Sequence, residues 1–194
     1  GATVGVGSID QFYRFARDVG VLAFTTHQGN CFEVTADDMA ELKEKTRAYH
    51  EPGRFVPFVG YEWSGTTPMG GDHALFFFDD DPPLHRCCHW LQTDVGDVAT
   101  DRDHITKIHD TLRDTRAISY PHVGGRPANL EFHDPELEPI IEVHSKHGMF
   151  EWMIEEAVER ELKVGFAGGS DDHYGHPGAC YPGPHLGHFA ARNG

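Results

Sequence analysis

The chain has 194 residues, 39% hydrophobic and 24% charged, a length and balance that describe one globular domain and exclude a disordered tail. Sixteen Lys and Arg against 31 Asp and Glu give a net charge of −15, which excludes a general nucleic-acid binder, because neutralising phosphates requires a basic face. No apolar run approaches the ~20 residues of a membrane helix, and the four cysteines form no C-x-x-C pair, so the compartment stays open.

The opening GATVGVG leads into a helix, with Ser8 and Gln11 as an S-x-x-Q capping box, Ile9, Phe12, Phe15, Ala16 and Val19 as one apolar stripe, and Gly20 at its end. Residues 21–25 (VLAFT) read as a buried strand. Thr35 and Asp38 cap a second helix running to about His50, with Met39, Leu42 and Tyr49 inward. Residues 55–60 (FVPFVG) are a strand in spite of Pro57, which removes a ladder donor, and residues 74–78 (ALFFF) are another. The acidic stretch 79–104 is too long for a plain connection and reads as an insertion or lid. Ile105, Ile108 and Leu112 mark a helix, and residues 117–120 and 140–143 are strands. Phe150, Met153, Ile154, Ala157, Val158 and Leu162 define a further helix, before a last strand at 164–167. Short apolar strands alternating with amphipathic helices predict one α/β domain over 1–194, built on a parallel sheet or barrel. Both ends look cut, and the strand edges this would expose predict a homodimer.

Fifteen histidines are scattered along the chain among many carboxylates, and imidazole with carboxylate is the usual ligand set for zinc, manganese and iron. Their placement is ordered. His27, Glu62, His122, His144 and the Asp171/His173 pair each follow a predicted strand, and the carboxyl ends of parallel strands open onto one face. His73 precedes its strand, so it reaches that rim only if the strand runs antiparallel or a turn brings it back. At the fourth of these strands Glu142 or His147 can face the rim in place of His144. His85, Cys87, Cys88 and His89 form a further soft-ligand group, though adjacent cysteines do not match zinc spacings.

The motifs TTH, GYEW, the His of GGDH, PH after a strand and D-x-H within SDDH resemble the PHP (polymerase and histidinol phosphatase) superfamily. The wording of GRFVPFVGYEWSG, EVHSKHG and GGSDDHYGHPG is most similar to its branch of uncharacterised bacterial proteins, and the resemblance covers nearly all of residues 8–183. It implies a distorted (β/α)7 barrel, here truncated at both ends, with up to three divalent ions at the strands' carboxyl ends and hydrolysis of phosphate esters. It also implies that Glu62 bridges two metals, that His73 and His122 complete the second, that His27 and His173 bind the third, and that Asp171 joins Glu62 at the first. Two departures stand out: GATVGVG holds no His-x-His pair, and Thr26 occupies the place of an Asp.

Three Glu/His/His ligands leave a position for water whose pKa a zinc ion lowers to about 7. The expectation is a metal-dependent hydrolase acting on a small phosphorylated substrate. Arg126 is placed to grip a phosphoryl oxygen, and His144 or Asp172 to protonate the leaving group. A metal-binding but silent domain and an amidohydrolase-like C–N or C–O hydrolase are the alternatives. No G-x-S-x-G elbow, Walker loop or dinucleotide fingerprint is present.

Overall fold

The computed structural model describes residues 7–89, 97–169, 171, 173, 175–178, 183–185 and 188–190, the last two stretches by backbone alone. The elements run α1 (Ile9–Asp18), β1 (Phe24–Thr26), α2 (Ala36–Tyr49), β2 (Val56–Ser64), β3 (Asp72–Phe77), α3 (Ile105–Leu112), β4 (Ala117–Pro121), β5 (Ile140–Ser145), β6 (Gly148–Met149), α4 (Glu151–Glu159), β7 (Gly165–Gly168), β8 (Gly183–His185) and β9 (His188–Ala190). Both expected capping boxes form. The Ser8 hydroxyl accepts from Gln11 N while the Gln11 side chain accepts from Ser8 N, and Thr35 and Asp38 repeat the exchange at α2.

Four strands make one sheet in the order β1-β2-β3-β4, and three make a second in the order β6-β5-β7; β8 and β9 form a two-stranded ribbon. β1 pairs with β2 in parallel, but β3 is antiparallel to both β2 and β4. The expectation of a distorted (β/α)7 barrel is therefore overturned: the described residues form two small mixed sheets with four helices and no closed barrel. The reason is local. β2 ends at Ser64 and β3 begins at Asp72, too short a link for the crossover that a parallel neighbour requires, so the chain turns back on itself. Pro57 is accommodated because it stands opposite Thr25 of β1 before the ladder to β3 begins at Val59, so its missing N–H leaves no β3 partner unpaired.

Strand alternation sorts the first sheet into two faces. Val59, Tyr61 and Trp63 of β2, with Leu75 and Phe77 of β3, join Tyr13, Met39, Leu42, Ile105, Ile108 and Leu112 in one core beneath α1, α2 and α3. A smaller core holds Ile141 of β5 against Met153 and Ala157 of α4. Glu62, Ala74, Phe76 and Tyr120 lie on the sheet's other face and line a cavity, and Glu142, Gly168 and Gly169 line it from the second sheet. Among the described residues no helix is long and apolar enough to cross a membrane. In 79–104, Leu84 and Cys87 pack against the first core, and buried Arg86 donates to the Val34 carbonyl and pairs with Asp97 at 2.6 Å.

Candidate metal centre

The cavity has a volume of about 450 Å³ and mostly apolar walls. Into it converge three carboxylates, Glu62, Glu142 and Asp171, and one imidazole, His122. The period of two explains the first three placements: Glu62 sits between the core residues Tyr61 and Trp63, His122 follows Tyr120 past the end of β4, and Glu142 alternates with Ile141 and Val143. Asp171 arrives from the loop after β7 in a left-handed conformation, φ 42°.

Glu62 is 5% exposed and accepts from Ser64 Oγ at 2.6 Å. His122 Nε2 lies 3.8 Å from Glu62 Oε2, is buried, and has no hydrogen-bond partner. Asp171 is approached by His147 Nε2 at 2.8 Å and His173 Nε2 at 3.5 Å, so the acidic wall continues into a His147–Asp171–His173 group of metal-ligand type. Burial, together with Asp171 and Glu62 nearby, pushes the Glu142 carboxyl up to about 7, although His122 and the Tyr120 hydroxyl counter it. Burial alone would lower His122, but the surrounding Glu62, Glu142, Asp171 and Asp72 raise it. Negative charge is thus crowded into a place with too little positive charge to balance it, and a buried imidazole nitrogen stands there unpaired. A divalent cation fits both facts.

The sequence-predicted residues divide. Glu62, His122 and Asp171 share the cavity, with His173 against Asp171. His27 does not join them; it lines a separate cleft with Ser8, Glu33, Asp38 and Glu41, its ring edge-on to Phe12 at 5.1 Å. Burial there pushes His27 down to about 4. His73 pairs across the ladder with Trp63, which puts it on the face opposite Glu62. Arg126 is held between carboxylates: its Nε donates to Asp72 Oδ1 at 2.6 Å, its backbone N to Asp72 Oδ2 at 2.8 Å, and its Nη2 reaches Glu62 Oε1 at 3.4 Å. In this position it orients Glu62. His144 is not among the cavity-lining residues; it stands at the irregularity between β5 and β7 and accepts from Gly169 N through its carbonyl. Asp172 lies outside the described residues. Of His85, Cys87, Cys88 and His89, the two sulfurs lie 3.6 Å apart, while His85 Nδ1 sits on the Thr100 carbonyl and His89 between Asp97 and Asp101.

Of the alternatives at β5, it is Glu142 rather than His144 that lines the cavity. His109, His133 and Glu138 were not picked out, yet they surround His73 on the helical face of the sheet: His73 Nε2 and His109 Nε2 lie 3.1 and 3.0 Å from Glu138 Oε1, and His133 Nδ1 lies 3.0 Å from Glu138 Oε2. His109 falls four residues after Ile105 on the buried stripe of α3, a legible position. Nothing in the loop sequence around His133 and Glu138 announces them.

No family model matches this chain, and no curated protein does. Among solved structures it is similar to a two-domain protein from Bacteroides vulgatus containing a predicted PHP-like metal-dependent phosphoesterase. The TM-score is 0.52 at 14% identity, over 89% of this chain and 50% of that one. The likeness is one of fold. This chain spans about half the length of that protein.

Proposed function

We propose that this chain is a metal-dependent hydrolase whose reaction takes place at the cavity, with phosphate esters as the substrate class. The observation that carries the reading is the unpartnered, buried Nε2 of His122, 3.8 Å from Glu62 Oε2 in a cavity shared with two further carboxylates. The fold likeness to a protein with a predicted metal-dependent phosphoesterase supports it.

Glu62, His122, Glu142 and Asp171 would hold the cation, and His147 and His173 support it through Asp171. A bound divalent cation supplies Lewis acidity, making hydroxide available near pH 7 and offsetting charge on a phosphoryl group. The chain's own residues set the conditions for that. Arg126, tied to Asp72, and Ser64 fix the Glu62 carboxylate from two sides. Phe76 and Leu22 add apolar wall beside these charges, and an apolar wall strengthens charge interactions at its surface.

The test is metal content per chain, followed by hydrolysis of p-nitrophenyl phosphate and its bis-ester with manganese or zinc. Glu62→Gln and His122→Ala should each lose the ion and at least ~100-fold in kcat/KM. A second reading, a metal-binding but silent domain, draws on His27 standing outside the cavity. Stoichiometric metal without turnover of either ester or of p-nitrophenyl acetate would favour it; turnover of the acetate alone would point to C–O hydrolysis.

A further inference from the structure

The four residues His73, His109, His133 and Glu138 lie apart from the cavity. They are on the opposite face of the first sheet, since His73 faces away from Glu62 and joins the layer beneath α3. Glu138 is 1% exposed, and the side chains of His73, His109 and His133 are 2%, 3% and 3% exposed. They come from β3, α3 and the segment before β5, so the cluster joins three parts of the chain that no β-ladder connects.

Hydrogen-bond bookkeeping shows what a protein-only cluster would lack. His73 Nδ1 lies 3.3 Å from the Gly71 carbonyl and its Nε2 3.1 Å from Glu138 Oε1, so the ring is held between a backbone carbonyl and the carboxylate. Oε1 already receives His109 Nε2 at 3.0 Å and Ser119 Oγ at 3.4 Å, while Oε2 accepts from Asp134 N at 3.0 Å. His133 is more telling. Both its ring nitrogens are buried and neither has a hydrogen-bond partner, although Nδ1 stands 3.0 Å from Glu138 Oε2. An imidazole oriented by a backbone carbonyl through Nδ1, with Nε2 turned to a shared carboxylate, is the arrangement of a metal-ligating histidine. Ligand atoms of His73, His109 and Glu138 lie within 4.8 Å of one another, a span one ion can bridge.

We propose that His73, His109 and Glu138 form a buried structural site for one zinc-class divalent cation, separate from the cavity. Two imidazoles and a carboxylate are zinc ligands, His133 stands against the second Glu138 oxygen, and the burial of all four closes the site to substrate. The ion would tie α3 and the segment before β5 to β3.

Zinc-edge anomalous diffraction on crystals of the full chain, stripped with chelator and reloaded with zinc, tests the site directly. The expected map has a peak about 2.0–2.2 Å from His73 Nε2, His109 Nε2 and Glu138. Ordered density for these side chains without a peak would overturn the proposal. Mass spectrometry of metal content gives a second reading: His109→Gln and Glu138→Gln each lose one zinc equivalent, whereas His122→Ala keeps this one and loses the cavity ion. Full zinc content in folded His109→Gln would also overturn it. If that variant fails to fold, the wild-type map decides alone. A peak here with an empty cavity would sink the hydrolase reading and leave this site standing.

Discussion

Glu142 is the residue whose chemistry is most dependent on its surroundings. Its carboxyl ionises near 4.5 when exposed and near 7 in the folded cavity. The unfolded chain therefore releases this proton at lower pH than the folded one, and the group's contribution to stability falls as pH rises from about 4.5 to about 7. A shift of that size corresponds to roughly 3 kcal/mol above pH 7. In chelator-treated protein, Glu142→Gln should flatten urea-derived stability across that window by about 2–3 kcal/mol. Added zinc or manganese should then stabilise wild type at pH 8 much more than the variant. Equal pH profiles for the two would remove Glu142 from the cation's surroundings. Gly169 works beside it: a Cβ there would stand 2.0 Å from Glu142 Oε2. Gly169→Ala should displace that carboxylate and weaken metal binding at least ~10-fold by titration calorimetry, with thermal stability of the metal-free protein little changed.

At the scale of elements, the helices are set by local chemistry and the strands by their neighbours. α2 is highly charged, and its start rests on the Thr35–Asp38 exchange, in which Asp38 N donates to Thr35 Oγ1 at 3.0 Å and Thr35 N to Asp38 Oδ2 at 2.9 Å. Thr35→Ala should cost about 1 kcal/mol in denaturant unfolding, while Thr35→Ser should cost little. Neither should alter metal content, since α2 packs on the face of β2 that turns away from the cavity. The sequence also located α3, β4 and β5 to within a residue or two, because apolar period and burial coincide there, while α4 ends at Glu159, three residues short of its predicted last apolar residue, Leu162. β2 runs four residues beyond its predicted end at Gly60, to Ser64. The YEWS segment mixes a carboxylate with aromatics, and only the β3 ladder opposite Val59–Ser64 makes it strand.

At the scale of the whole molecule, the open sheets leave edges among the described residues. β1 ends the first sheet and β7 is an outer strand of the second, and residues of both line the cavity without pairing to each other. Phe24 of β1 and Phe166 of β7 are 65% and 45% exposed, and Val21, which lines the cavity with Phe24, is 79% exposed. Unpaired strand edges carrying exposed aromatics favour association. Light scattering coupled to size exclusion should therefore show a concentration-dependent shift above the 21.7 kDa monomer. Phe24→Lys with Phe166→Lys should abolish it, and a clean wild-type monomer at high concentration would count against the edges as contacts.

The sequence by itself determined the helices, their caps, the α/β class and three of the four residues that converge on the cavity. Glu62 and His122 were legible because each follows an apolar run, and Asp171 because it follows the last one. Those features are encoded within a few residues of chain, where period and capping act. Strand direction and facing were decided only by the tertiary structure. The short link to β3 turned that strand antiparallel, as His73 required to reach the rim, and opened the expected barrel into two sheets, but the pairing of His73 with Trp63 faced it to the far side with His109, His133 and Glu138. A side chain's face depends on the register of a partner strand distant in sequence, and a change of one residue in that register moves it from the cavity to the core.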